Sequence, residues 1–386
     1  MARIVEIAAV TLLALAGSAP VRGDLLATRP GDGLAQPAVL RFDEVSGAFV
    51  TNFTSGRFDE SMAGCVFGPD NNLYVTVNDL GEGAVLRYDG SSGVFLDEFV
   101  PLGSGGPMIP FALRFGTGGD LFVASAVYTN FTIGPGQILR YNGTNGAFRQ
   151  TFVANGAGGL TCPFDFVFGP DGNLYVADGV YATPSGGAGV LRYNGSSGAF
   201  MGKFIARASG GLTNASGIIF GPDGNCYVSS FSTDTVLKYN GTNGAFIGSF
   251  VPSGSGGLDG PQALAFGPDG QLYVCSALNH AVLRYDGKTG AFVDVFVMAG
   301  SGGLSSGPSG LTFTPRAPKL TIARSGPSLL LSWPRAATNY VLDFTQTLTD
   351  SNNWAPVGTV PAILGDAYVV TNSPSASQEF FRLRKQ

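Results

Sequence analysis

One histidine, His280, is present in 386 residues, so any imidazole acid–base chemistry rests on it. It sits in "LYVCSALNHAVLRYDG", between two runs that read as strands, and the surrounding sequence offers no serine in an elbow to complete a Ser/His/Asp set. Carboxylates offer a second chemistry. Asp165 stands where related segments place Gly64, Ala112, Gly217, Ala263 and Gly310, and Asp178 ends the next strand on the same face. Asn78 and Asp79 hold the comparable place in an earlier unit, and Asp234 lies in a later turn. Oxygen ligands of this kind, converging on one mouth, are the set a hard cation such as Ca²⁺ takes. The competing reading is that Asp165 and Asp178 cap turns or pair with backbone amides. Tyr128 and Tyr181, in the two longest connections (125–137 and 178–190), are candidate aromatic platforms for a carbohydrate.

The remaining reactive residue types read as structural. Cys65, Cys162, Cys226 and Cys275 form no C-x-x-C pair, and two of them replace apolar residues inside strand patterns. Buried free thiols are expected, not a zinc site or a disulfide framework. The "SGG" runs lack the helix and lysine of a phosphate loop and the spaced aspartates of a calcium nonapeptide, and are read as flexible turns.

What must position these residues is a repeat. "VLRFDEVSGAF" recurs five times as relatives of "VLRYDGSSGVF", placing Arg41, Arg87, Arg140, Arg192, Lys238 and Arg284 at intervals of 46, 53, 52, 46 and 46. "FGPDNNLYV" recurs beside it, and each unit holds four strands: one ending at the Phe of "FGPDG", then "LYV", "VLRY" and "GAFxxxFV". Four short strands in roughly 50 residues is the mark of a β-propeller blade. The Phe residues Phe67, Phe115, Phe168, Phe220, Phe266 and Phe313 are expected between blades, the basic residues as exposed or inter-blade partners of turn acids. The "DG" and "NG" pairs are expected to take the positive φ of the hairpin. Sequons such as "NGT" at 142–144 and 240–242 fall in these turns and need no glycosylation to explain them.

The ends fix the count. The first unit lacks its first strand, and an orphan first strand lies near residues 310–314. The expectation is an all-β chain: a six-bladed propeller over 24–316, its last blade closed by one C-terminal and three N-terminal strands. From 317 to 386 the repeat is gone, and five or more short strands predict a small β-sandwich with Trp333 in its core. Residues 1–23 read as an export signal, with "IAAVTLLALA" too short to span a bilayer. The chain is therefore expected outside the cytoplasm: secreted, cell-surface or periplasmic. A net charge of −5 with no basic cluster excludes nucleic-acid binding, and no second membrane-length run is present.

The unit "G-P-x-x-L-x-F-G-P-D-G-x-L-Y-V … N-H-x-V-L-R-Y" resembles the NHL repeat over roughly residues 24–316, and more distantly the gluconolactonase-like propellers. The first resemblance implies a binding or scaffold module presenting a face around the central channel to an extracellular protein, polysaccharide or small molecule, and makes His280 a family turn residue. The second implies a Ca²⁺-dependent lactonase-type hydrolase or lyase, with Asp165 and Asp178 as ligands and His280 as base, although that family's Glu/Asn/Asp set does not map onto this chain. The C-terminal segment, with "LLLSWP" and "FFRLRK", is similar to a domain that ends many exported bacterial proteins, which implies attachment or sorting. A monomer is expected, with carbohydrate binding as a weaker alternative.

Overall fold

A computed structural model describes residues 23–31, 36–54, 61–79, 82–106, 109–129, 132–179, 189–315, 320–334, 340–346, 354–365, 367–373 and 379–385. The export signal, apart from Gly23, lies outside the described residues, as does Tyr181. Gly23–Thr314 forms one compact unit, and the residues from Pro315 on belong to another. Among the described residues, no helix is long and apolar enough to cross a membrane.

Each repeat folds into one four-stranded antiparallel sheet, because each supplies four period-two segments separated by tight turns. Five sheets follow chain order, beginning with Ser61–Phe67, Ile109–Phe115, Pro163–Phe168, Ala215–Phe220 and Pro261–Phe266 as their first strands. We number these sheets 2 to 6. Sheet 1 joins Leu25–Arg29, Ala38–Phe42 and Phe49–Asn52 to Leu311–Phe313, with Leu25 opposite Phe313 and Ala27 opposite Leu311. The fold is a β-propeller, and the first strands are its inner strands.

Apolar residues alternate to both faces of each sheet, so the cores lie between sheets. One cluster packs Leu26 and Val39 of sheet 1 on Val75 and Leu86 of sheet 2; another packs Leu25 and Leu40 on Tyr273 and Val282 of sheet 6. Both faces of the closing sheet are thereby covered. The repeated Phe residues do bridge sheets: Tyr74, Phe122, Tyr175, Tyr227 and Tyr273 meet Phe115, Phe168, Phe220, Phe266 and Phe313 of the following sheet edge to face at 4.9–5.3 Å.

The basic residue of each third strand pairs within its own sheet. Arg192 reaches Asp171 at 2.5 Å and Lys238 reaches Asp223 at 2.8 Å, and both cations lie over a second-strand tyrosine ring. The same aspartates accept from Tyr175 and Tyr227 hydroxyls at 3.0 Å, which explains why Asp, Tyr and Arg/Lys recur together.

Two turn expectations are corrected. Positive φ falls not on the "DG" or "NG" glycine but on the later one, at Gly47, Gly93, Gly146, Gly198, Gly244 and Gly290. The Asp or Asn side chain instead caps the helical turn: Asn194 Oδ1 accepts from Ser196 and Ser197 amides at 3.0 and 2.9 Å. The later glycine also meets the neighbouring sheet, since a Cβ on Gly198 would lie 1.8 Å from the Phe152 carbonyl oxygen. The "SGG" runs, read as flexible, are 3-10 turns fixed from two sides. Tyr239 and Tyr285 hydroxyls donate to Ser209 and Ser255 carbonyls at 2.8 and 2.9 Å, and the Phe246 and Phe292 rings leave no room for a Cβ on Gly210 or Gly256.

The long connection at 125–137 is largely strand: Leu121–Thr129 and Thr132–Tyr141 pair as one extended hairpin. In the C-terminal unit, Thr321–Ser325, Ser328–Pro334, Ala367–Asn372 and Ala362–Leu364 form one sheet, and Ala355–Pro356, Tyr340–Thr345 and Phe380–Lys385 another. Trp333, only 2% exposed, packs with Leu331 and Val370 of the first sheet and Leu342 and Phe381 of the second.

Candidate functional site

Inner strands present their free edge to the centre of the ring, so departures from the repeat there are the informative residues. At three aligned positions the six strands read Ala63, Phe111, Phe164, Ser216, Gln262, Ser309; then Gly64, Ala112, Asp165, Gly217, Ala263, Gly310; then Val66, Arg114, Val167, Ile219, Ala265, Thr312. Each of the last two series contains one charge, and the two charges meet. Arg114 Nη2 donates to Asp165 Oδ1 at 2.8 Å. The same oxygen accepts from the Phe166 amide at 2.9 Å, and Oδ2 accepts from the Ile218 amide at 3.1 Å. One carboxylate thus ties sheets 3, 4 and 5. Burial pushes its carboxyl above the usual range, and the Arg114 charge and the two amides oppose that.

Asp178 does a different task. Its Oδ1 accepts from the Thr161 amide and hydroxyl, both at 2.9 Å, and from the Cys162 amide at 2.7 Å. Ser230 and Ser276 occupy the same place in sheets 5 and 6, where their hydroxyls accept from Thr213 and Asp259 amides at 2.9 Å. Arg29 takes it in sheet 1 and donates to the Gly302 and Gly303 carbonyls. In sheets 1, 4, 5 and 6 the last residue of the second strand is therefore a latch for the loop that enters its sheet, and in sheet 4 that latch is Asp178.

These two carboxylates do not fit a calcium ion. Asp165 faces a guanidinium and two amides, so positive charge already stands where a cation would bind. Asp178 Oδ1 is filled by three donors. Among the described residues, no group of three or more His, Cys, Asp or Glu is placed to hold a metal.

His280 and Asp234 occupy one turn position in neighbouring sheets, each in the left-handed region, at φ 58° and 53°. Asp234 Oδ1 accepts from the Gly260 amide at 2.8 Å, anchoring the loop that enters sheet 6. His280 is half-buried beside Asn279, whose Nδ2 donates to the Gly257 carbonyl at 2.6 Å. Asn78 is half-buried near the end of its strand, opposite Ser61 and Gly83, and its Oδ1 is buried with no hydrogen-bond partner among the described residues. Asp79 is the last residue of that strand, opposite Glu82; Tyr128 lies in the extended hairpin, opposite Ile133. The side chains of Asp79 and Tyr128, like Tyr181, lie outside the described residues. The bonds above tie Asp165, Asp178 and Asp234 to different sheets and loops, so they do not assemble one catalytic set. All four cysteines are free and buried, and burial pushes the Cys65 thiol up to about 12.

The feature missed from sequence is apolar. Phe111 and Phe164 replace the small or polar residues of the other inner strands, and their rings touch across sheets 3 and 4 with centroids 5.1 Å apart. Phe164 also lies against Gly179, where a Cβ would come within 2.2 Å of the ring. Both rings are half-buried, and Ser216, Gln262 and Ser309 hold the equivalent strand position in sheets 5, 6 and 1. The alignment that isolates Asp165 contains the signal for Arg114, Phe111 and Phe164; it has to be read down each column.

No protein-family model matches the chain, and no curated protein does. Among solved structures, a chain from the crystal structure of a nidogen/laminin complex is similar at 15% identity and a TM-score of 0.57, covering 76% of this chain and 98% of that one. A protein of unknown function from Bacteroides caccae is similar at 14% identity and a TM-score of 0.53, covering 75% and 98%. At these identities the likeness is one of fold.

Proposed function

We propose that the chain is an exported, six-bladed NHL-like propeller acting as a binding module, followed by a small β-sandwich domain that serves attachment or sorting. The observation that carries the reading is the asymmetry at the inner-strand starts. The repeat-breaking charges are spent on holding sheets and loops, and what remains at the mouth is an aromatic pair beside neutral hydrogen-bonding groups. A half-buried aromatic pair, on inner strands whose equivalents in sheets 5, 6 and 1 carry the neutral Ser216, Gln262 and Ser309, suits a protein-binding patch. A similar chain is seen in a nidogen/laminin complex, which supports a protein partner.

The test is capture from the extracellular fraction by immobilised protein, with cross-linking to locate the contact. A partner that cross-links at the inner-strand starts and is lost in the F111S/F164S double variant supports the reading. Turnover of a lactone panel, enhanced by Ca²⁺ and removed by Asp165→Asn, would overturn it in favour of the hydrolase.

A further inference from the structure

The C-terminal unit has a core that is left open on one side. Trp333, Tyr368 and Ile363 lie directly opposite one another across three adjacent strands, so their side chains share a face. That face is the inner one, since Trp333 packs in the core and its ring lies 5.7 Å from the Tyr368 ring. Burial then falls along the row: Trp333 is 2% exposed and Tyr368 partly buried, but Ile363 is 52% exposed. A four-stranded sheet faces a three-stranded one, one of whose edge strands, Ala355–Pro356, is two residues long. A pocket of about 270 Å³ lies between the sheets, lined by Trp333, Tyr340, Leu342, Val357, Pro361 and Tyr368 among others.

We infer that this opening receives an extended, uncharged segment of a partner protein, paired along the free edge of Ala362–Leu364 with one apolar side chain in the pocket. Four observations select that occupant. The strand Ala362–Leu364 has a neighbour on one side only among the described residues, so its other edge offers backbone donors and acceptors to a strand. Its Ile363, on the inner face, and Leu364, on the outer, are 52% and 65% exposed, and Val360 before it is 87% exposed, apolar surface that water disfavours. None of the nine lining side chains carries a charge at neutral pH, so charge matching calls for a neutral segment. The pocket is smaller than the ~300–1,000 Å³ of whole small-molecule sites, which suits one side chain of a longer chain.

This inference concerns the C-terminal unit and stands or falls apart from the propeller face. The probe is a capped ten-residue peptide alternating Val and Thr with one central Phe, titrated into the full-length protein carrying W354F, which leaves Trp333 as the tryptophan reporter. The expected result is a saturable change in Trp333 emission, absent for the same peptide with Val replaced by Glu, and weakened about tenfold by Ile363→Asp. Because Ile363 is exposed, the variant's melting temperature should match the parent's, which separates lost docking from lost folding. No saturable change would overturn the inference, as would an affinity indifferent to Ile363→Asp. Concentration-dependent self-association abolished by Ile363→Asp, without peptide binding, would also overturn it by assigning the edge to a second copy of this chain.

Discussion

Arg114 and Asp165 break the repeat together because either alone would be costly. Removing the carboxylate leaves a partly buried guanidinium and two amides without an acceptor. Asp165→Ala should therefore destabilise by about 2–3 kcal/mol, less than for a fully buried pair because Arg114 is partly solvated. The double variant R114V/D165A, which restores the residue types of the other sheets, should recover much of that loss in urea unfolding; additive losses would refute the pairing. A second residue-scale prediction concerns Asp89, whose carboxyl lies below the usual range because the Ser91 hydroxyl and the Ser92 amide and hydroxyl bond to it. A depressed folded value means stability that is full above the ordinary carboxylate range, near ~4, and lost as pH falls through the folded value. Asp89→Asn keeps the turn, as Asn142, Asn194 and Asn240 do in other sheets. The stability advantage of the parent over Asp89→Asn should shrink between roughly pH 6 and pH 2.5, a window that spans the unfolded carboxylate's titration, as followed by urea midpoints.

At the scale of the turn, two glycines with like φ separate strain from crowding. Gly224 has φ 75° and open space where an added methyl group would sit, whereas Gly198 has φ 72° and the Phe152 carbonyl oxygen 1.8 Å from that position. Gly224→Ala should cost about 1–2 kcal/mol, the left-handed strain alone. Gly198→Ala adds overpacking against a neighbouring sheet and should cost at least ~3 kcal/mol or prevent folding. Equal losses in chemical denaturation would show that contact between sheets does not explain this glycine. The same elements mark where sequence reading ran short. "DG" and "NG" are hairpin signals, yet here they open a one-turn helix whose left-handed residue comes later, and only the hydrogen bonds reveal that register.

For the whole ring, closure depends on the strand at the end of the repeat. The Thr28 amide donates to the Gly310 carbonyl at 3.0 Å, and the Thr314 amide donates to the Asp24 carbonyl at 2.9 Å. A chain ending after Pro315 should unfold cooperatively, since Gly23–Thr314 is a compact unit. Ending it after Ser309 exposes the inner edge of Leu25–Arg29 and should give aggregation or a broad transition, read by size exclusion and urea unfolding. Equal behaviour of the two chains would mean that the last strand contributes no closure.

The sequence by itself determined the strand count of each repeat, the partner of the orphan segment near residue 311, and the positions where a charge is out of place. Those follow from local periodicity and from comparing one repeat with the next, which needs no third dimension. Only the tertiary structure decided what Asp165, Asp178 and Asp234 do. Their partners lie 51 and 53 residues away for Asp165, 26 for Asp234 and 16–17 for Asp178. Whether a carboxylate oxygen is free to act depends on which amides and cations the packed sheets turn toward it. Asp165, read as a ligand for a metal, is pinned by a guanidinium and two amides, while the contact of Phe111 with Phe164 exists only once sheets 3 and 4 are side by side.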